Sequence, residues 1–217
     1  MGQNRRTYID LYCERLAPGL WGEPANALSN VAFFAAAWLL ARDVRRLASW
    51  PPAIALLVAL TVVVGIGSTV FHLLATTWAQ WLDLVPILLF QLAFLWIYGL
   101  RILRWSPVPS ALLVAAFLAI ALYARQFQEP LNGSITYAPA LLAIFALGLH
   151  HRATQPREPP LLLIAAGLFT VSLFLRTIDM ATCEAFPLGT HFFWHLLNGA
   201  VLYLAVRSLL GTVERVH

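Results

Sequence analysis

The sequence predicts an all-α integral membrane protein, a bundle of seven transmembrane helices with the N-terminus outside and the C-terminus in the cytoplasm. Three observations support this prediction: an apolar composition, seven long uncharged stretches, and an uneven distribution of arginine. Of the 217 residues, 60% are hydrophobic and only 11% are charged, whereas soluble domains carry roughly 25% charged residues. The sequence does not show the period-two alternation that is typical of membrane β-barrels.

Seven uncharged stretches separate the charged residues of the chain. They contain 18, 36, 17, 20, 22, 17 and 22 residues, and they follow Glu23, Arg46, Asp83, Arg104, Glu129, Glu158 and Glu184 in that order. A helix needs roughly 17–25 largely apolar residues to cross the hydrocarbon layer, so each stretch predicts one span. The longest holds a span from about Pro52 to Ala75 and a turn at Thr76, Thr77 and Trp78. The fifth span, near Ile135 to Gly148, is predicted to be short.

The spans divide the chain into three parts. Residues 1–24 are predicted to form an N-terminal extramembrane segment, residues 25–211 the seven-span domain, and residues 212–217 a C-terminal tail. The short, polar stretches between the spans predict loops, without an additional soluble domain.

The arginines predict the orientation of the bundle. All fourteen basic residues are arginine; nine fall on the side of the C-terminus and five on the side of the N-terminus. The positive-inside rule therefore places the C-terminus in the cytoplasm. The net charge of +4 then belongs to the cytoplasmic rim and its anionic lipids, so a nucleic-acid partner is not expected. A nucleotide is not expected either, because Gly65-Ile66-Gly67 lies in an apolar helix without a following lysine and indicates close helix packing.

Five polar residues are predicted to meet at the outer end of the bundle. Ser68 and His72 stand four residues apart near the end of the second span, Asp83 begins the third, and His191 and His195 stand four apart near the start of the seventh. Because the second span runs outward and the third and seventh run inward, all five reach the same leaflet. Ionisable side chains within a bilayer are costly and usually mark a functional site.

This group of residues predicts a metal-dependent hydrolase. Three imidazoles are a typical ligand set for a catalytic zinc ion, which keeps a fourth position for water. Neither a thiolate nor another carboxylate completes a set that copper or iron would prefer. Asp83 would orient the water or act as general base, and Ser68 would donate a hydrogen bond to a developing oxyanion. We expect the reactive bond of the substrate to lie at the membrane interface.

Several motifs resemble those of the alkaline ceramidases. They are Gly67-Ser68-x-x-Phe71-His72, Gln80-x-Leu82-Asp83-x-x-Pro86, His191-x-x-Trp194-His195, Tyr12-Cys13-Glu14, Asn26-Ala27-Leu28-Ser29-Asn30 and Asp179-x-x-x-Cys183-Glu184. The related progestin and adipoQ receptors share the pattern of three histidines, a serine and an aspartate. The N-terminal segment is more similar to that of the ceramidases.

The resemblance implies a membrane enzyme that hydrolyses ceramide, or a similar long-chain N-acyl lipid, to a free fatty acid and a sphingoid base. The zinc ligands that it implies are His72, His191 and His195. It also implies Ser68 and Asp83 as catalytic partners and a disulfide between Cys13 and Cys183. The residues alone allow either this bridge, in an oxidising compartment, or two free thiols.

The family also carries a calcium site, which this sequence matches incompletely. The candidate ligands are Asp10, Tyr12 through its carbonyl, Glu14, Glu23 and Asn26. Leu11 and Leu16 stand where the family has an acid and an asparagine, and calcium needs roughly six to eight oxygens. The alternative is an acidic segment that pairs with Arg15 or Arg176.

Two other functions are compatible with seven helices. A receptor or sensor of the progestin and adipoQ type would keep the zinc as a structural clamp with closed, four-coordinate geometry. A transporter should carry paired charges at mid-membrane, whereas the ionisable residues here cluster at one end. A retinal protein is excluded because the chain contains no lysine for a Schiff base.

Three further histidines are not assigned to the site. His150 and His151 stand beside Arg152 and are interpreted as part of a solvated cytoplasmic face, and His217 is the terminal residue.

Overall fold

The computed structural model describes residues 8–45, 50–127 and 129–213. Over these ranges the chain is helical and contains no strand, which confirms the all-α prediction. Several residues used in the charge count lie outside the described residues, namely Arg5, Arg6, Arg46, Glu214 and Arg215. His217 and most of the predicted tail at 212–217 lie outside them as well. The division into segments and the orientation of the termini stay predictions.

Seven segments within the described part of the chain are long and apolar enough to cross a membrane, as predicted. The helices are α1 (Pro24–Ser29), α2 (Val31–Val44), α3 (Pro52–Leu74), α4 (Thr77–Arg101), α5 (Pro107–Ala124), α6 (Ala138–Thr154), α7 (Leu161–Ile178) and α8 (His191–Val213). The first span consists of α1 and α2 together, because Asn30 between them keeps helical angles, φ −63° and ψ −12°. Short 3-10 helices at Pro130–Tyr137 and Asp179–Ala181 precede α6 and follow α7.

The turn between the second and third spans lies close to its predicted position. Helix α3 ends at Leu74, and Ala75 adopts the left-handed conformation with φ 48°. Thr76 caps α4 by accepting a hydrogen bond from the backbone N–H of Ala79. Thr77 and Trp78, predicted as part of the turn, already belong to α4.

The fifth span is longer than predicted. Helix α6 continues past Gly148 to Thr154, and the 3-10 helix Pro130–Tyr137 precedes it. The end predicted at Gly148 was wrong because the prediction considered only the apolar residues of the span. Arg152 is compatible with the last turn of a helix, where a positive charge interacts favourably with the helix dipole.

His151 is buried, which contradicts its interpretation as a solvated residue. It is 3% exposed, and its Nε2 lies 3.1 Å from Glu158 Oε2. The loop after α6 turns back and brings this carboxylate to the helix. His150, the preceding residue, is exposed as expected.

The core of the bundle lies where α2, α3, α4 and α8 meet. Fully buried members include Leu40, Ile54, Leu57, Tyr98 and Leu209. Helices α5 and α6 lie at the periphery and expose large apolar side chains, such as Leu112 at 65% and Leu142 at 68%. An apolar outer surface of this kind is suited to lipid, and with the seven apolar helices it indicates an integral membrane protein.

Helices α3 and α4 approach each other closely beside Ser68. Pro86 in α4 has no N–H, so the carbonyl of Leu82, four residues earlier, lacks its helical donor. Gly67 of α3 faces this carbonyl, and a Cβ at Gly67 would overlap with it. The approach places Ser68 next to the start of α4, where Asp83 follows Leu82. Close helix packing, predicted for this glycine, is confirmed.

We expect Gly67→Ala to force α3 and α4 apart, because the atom in its way belongs to rigid backbone. Overpacking of this kind costs about 1–3 kcal/mol, which thermal unfolding of the purified protein should detect as a lower midpoint. Gly167→Ala is the matched control, since a Cβ there meets no atom within 4 Å. That change should leave the midpoint unchanged or raise it, because alanine favours the helix over glycine by up to about 1 kcal/mol. Equal midpoints for the two variants would contradict the proposed close approach.

Candidate active site

Three buried imidazoles from two helices meet at one end of the bundle. His72 lies in the last turn of α3, and His191 and His195 lie in the first turns of α8; each is at most 2% exposed. One ligand atom from each histidine lies within 4.8 Å of the other two. The structure thus brings together the three histidines that the sequence analysis proposed as metal ligands.

Hydrogen bonds to the outer ring nitrogens fix the tautomers of two histidines. The carboxylate of Glu23 accepts from His72 Nδ1. Ser29 donates its hydroxyl proton to the carbonyl of Asn26 at 2.8 Å, so it acts as acceptor for His195 Nδ1 at 2.7 Å. Each of the two rings therefore presents the lone pair of its Nε2 to the centre.

The two Nε2 atoms face each other at a distance of 3.1 Å. Two lone pairs at this distance repel each other, and a cation between them would remove the repulsion. Histidines that bind a metal in proteins commonly donate the other ring N–H to a carboxylate or another acceptor, as His72 and His195 do here. The donor set therefore fits a zinc ion.

Glu23 stays ionised next to His72. Burial by itself raises the pKa of this carboxyl, but the hydrogen bond from His72 and the hydrogen bond and positive charge of Arg15 outweigh that effect and lower the pKa below its usual value. An ionised carboxylate only accepts hydrogen bonds, so it requires the proton on His72 Nδ1. No local pattern in the sequence indicates this role for Glu23.

Asp179 positions the third histidine at the start of α8. Its carboxylate accepts the backbone N–H of Thr190 at 2.6 Å and of His191 at 2.9 Å, and it also accepts the N–H of Cys13 at 3.0 Å. The ring of His191 stacks on that of Tyr12, with 3.6 Å between the centroids and 13° between the planes. His191 Nδ1 is buried and has no hydrogen-bond partner among the described residues.

A disulfide joins Cys13 to Cys183, with a Cα–Cα distance of 5.2 Å, so the implied bridge is confirmed. It ties the N-terminal segment to the loop that precedes α8. Tyr12, the neighbour of Cys13, thereby stays against His191. Burial raises the pKa of Tyr12, so its side chain is a neutral phenol.

Ser68 and Asp83 flank the three histidines. The hydroxyl of Ser68 lies 3.4 Å from His195 Nε2 and also interacts with the carboxylate of Asp83. Asp83 is partly buried, whereas Ser68 is 2% exposed. A hydroxyl and a carboxylate thus lie beside the centre that the imidazoles surround.

The family model Ceramidase matches residues 12–213. The chain belongs to the ceramidase family. Membership confirms the resemblance seen in the motifs, and it supports a membrane enzyme that hydrolyses the amide bond of ceramide. Among curated proteins, none matches this chain.

An apolar cavity of about 90 Å³ lies inside the bundle of this ceramidase-family protein, next to the part of α8 that contains His195. Its lining includes Trp194, the residue before His195, and Asn198, one turn further along α8. Phe33, Phe90 and Phe94 are among its apolar wall residues. The cavity therefore lies in the hydrophobic interior within one helical turn of His195, and its apolar lining is suited to hydrocarbon.

The candidate calcium ligands of this ceramidase-family protein lie in or near the N-terminal segment. Glu14, Glu23 and Asn26 are brought together: Glu14 accepts the backbone N–H of Asn26 at 2.8 Å, and the side-chain amide of Asn26 donates to Glu23 at 3.2 Å. The carbonyl of Tyr12 accepts the backbone N–H of Arg15 at 3.3 Å, and Asp10 is partly buried. Burial raises the pKa of Glu14 despite two backbone N–H groups that lower it.

The structure also shows the ion pairing that was the alternative to calcium. Arg15 Nε lies 2.5 Å from Glu23 Oε1, and both side chains are at most 1% exposed. Arg176 makes different contacts: it donates to the carbonyl of Asn132 at 2.5 Å and to the hydroxyl of Ser134 at 3.2 Å. Arg15, not Arg176, is thus the partner of the acidic segment.

Proposed function

We propose that the protein is a zinc-dependent intramembrane amide hydrolase that cleaves ceramide, or a similar long-chain N-acyl lipid, into a free fatty acid and an amine. The observation that carries this proposal is the pair of facing Nε2 atoms, 3.1 Å apart, with Ser68 and Asp83 beside them. Membership of the ceramidase family supports the same reaction.

The zinc ion would be held by His72, His191 and His195, and it would supply Lewis acidity to the site. Asp83 accepts a proton from the attacking water and delivers it to the amine nitrogen as the C–N bond breaks. Ser68 donates a hydrogen bond to the oxygen that becomes negative during the attack on the amide carbonyl. Each role agrees with the position of its side chain next to the three imidazoles.

The apolar cavity supports a substrate with a hydrocarbon chain. An acyl chain that enters past Trp194 and Asn198 would place its amide next to the histidines. We propose that this end of the bundle lies at the outer, non-cytoplasmic face, because nine arginines fall on the opposite side of the seven spans and five on this one.

Metal analysis combined with a lipid assay tests the proposal. We expect about one zinc per purified chain, and release of fatty acid from ceramide within a panel of N-acyl lipids and matched esters. Removal of the metal by a chelator should stop the reaction, and added zinc should restore it, because the three imidazoles alone cannot activate water. Bound zinc without hydrolysis of any N-acyl lipid would instead indicate a structural clamp, as in a receptor.

A further inference from the structure

Arg15 is a fully buried arginine within the segment that contains the candidate calcium ligands. Its Nε donates to Glu23 Oε1 at 2.5 Å, and its Nη2 donates to the carbonyl oxygen of His72 at 2.6 Å. Its Nη1 lies 3.4 Å from each of the carbonyl oxygens of Ala17 and Gly19. Four oxygen atoms therefore surround a single positive charge.

The carboxylate oxygens that a calcium ion would need already accept hydrogen bonds. The two oxygens of Glu14 accept the backbone N–H groups of Ala25 at 2.6 Å and of Asn26 at 2.8 Å. The two oxygens of Glu23 accept from Arg15 and from His72. The side-chain oxygen of Asn26 is buried without a hydrogen-bond partner among the described residues, and it offers a single ligand atom. Calcium binds six to eight oxygens, so the residues of this segment do not fit a calcium ion.

Gly22 packs closely against the guanidinium of Arg15. A Cβ at Gly22 would lie 2.5 Å from Nη1 of Arg15 and 2.9 Å from the carbonyl oxygen of Ala17. This close packing leaves no room for a second cation between Gly22 and the guanidinium. The positive charge of Arg15 would in addition repel a divalent ion at short range.

Arg15 contacts His72 in two ways. It holds one oxygen of Glu23 while the other oxygen accepts from His72 Nδ1, and it binds the backbone carbonyl of His72 itself. A planar guanidinium with five donors in a fixed geometry can make both contacts at once. The side chain of Arg15 thus fixes both the ring of His72, through Glu23, and its backbone.

We propose that Arg15 is the resident cation of the N-terminal segment: its guanidinium takes the place of a calcium ion and holds Glu23 and His72 in the geometry of the metal centre. Arg15 is then a positioning residue, and the protein needs no calcium to keep its site in order. The proposal rests on the proposed function only where zinc affinity serves as a readout.

The first test is a calcium titration of the wild-type protein after dialysis against calcium-free buffer. We expect no stoichiometric binding of calcium and no shift in the thermal unfolding midpoint when calcium is added. One tightly bound calcium per chain, or a midpoint that rises with calcium, would overturn the proposal. This titration remains decisive even if the protein binds no zinc, a result that would contradict the proposed function alone.

The second test compares variants of Arg15. Arg15→Ala should weaken zinc binding about 10- to 100-fold, the usual effect of losing a group that supports a metal ligand, as measured by competition with a chromophoric chelator. Guanidinium ion or calcium, added at low concentration, should restore part of this affinity by filling the vacated position. Arg15→Lys should lie between wild type and Arg15→Ala, because lysine keeps the charge but not the planar donor geometry.

Arg42→Ala is the control, since Arg42 is 51% exposed and pairs with Asp43 in α2. It should bind zinc as wild type does and show no response to guanidinium or calcium. Wild-type zinc affinity in Arg15→Ala would overturn the proposal. If Arg15→Ala does not fold, Arg15→Lys decides in the same assay: wild-type zinc affinity there would overturn it.

Discussion

Replacing His195 by alanine is expected to abolish both zinc binding and ceramide hydrolysis. His195 lies at the middle of the site, with its Nε2 3.1 Å from His72 Nε2 and 3.4 Å from Ser68 Oγ. Without it, two imidazoles remain, which is too few for a stable catalytic zinc site. Turnover should fall by at least about 10³-fold, equivalent to roughly 4 kcal/mol of transition-state stabilisation. Metal content and fatty-acid release are measured on the same preparation.

Two further variants make this result specific. Ser29→Ala keeps the ligand but removes the acceptor of His195 Nδ1, so zinc affinity should fall only about 10- to 100-fold. His150→Ala changes an exposed histidine in α6 and should leave metal content and turnover as in wild type. A folded His195→Ala protein with full zinc and full turnover would exclude the zinc-dependent mechanism.

Asp83→Asn is expected to keep zinc and lose activity. The amide is nearly isosteric with the carboxylate and can still interact with Ser68, so the helices and the three imidazoles should stay in place. It cannot accept a proton from water, and loss of a general base costs about 10²- to 10⁴-fold in rate. The loss should appear in kcat with little change in KM, because in the proposed mechanism Asp83 acts on the reacting atoms and not on the acyl chain.

The control is an aspartate at the other end of the bundle. Asp43 accepts from the hydroxyl of Tyr203 at 3.0 Å and lies 3.5 Å from Arg207 Nε. Asp43→Asn should lower the thermal unfolding midpoint slightly and leave kcat unchanged. If Asp83→Asn behaved in the same way, with altered stability but a wild-type rate, Asp83 would have no catalytic role and the zinc would be a structural clamp.

The sequence was sufficient to predict the seven spans and the meeting of the three histidines. Uncharged stretches of the right length are a direct consequence of the cost of charges in lipid. His191 and His195 share a helix face because they stand four residues apart. Connectivity then requires the end of α3 and the start of α8 to lie on the same side of the membrane.

The partners of the histidines could not be predicted from the sequence, because they depend on packing between distant segments. Glu23 and His72 are separated by 49 residues, and Ser29 and His195 by 166. The resemblance pointed to Glu23 as a calcium ligand, and no local pattern indicated that its carboxylate would reach the ring of His72. The sequence contains the motif with Asn26 and Ser29, but it does not indicate that Ser29 forms a hydrogen bond with His195 in α8.

The disulfide has a consequence for how the protein matures. Cys13 and Cys183 are 170 residues apart, so the bond closes a long loop. It lowers the conformational entropy of the unfolded chain, which stabilises the folded protein by about 5 kcal/mol. Thiol oxidation can join the cysteines only after six of the seven spans have been synthesised. Where the cell keeps thiols reduced, packing alone would have to hold the N-terminal segment against His191. Completion of the pocket formed by the three imidazoles is therefore coupled to the redox state of the compartment in which the cysteines meet.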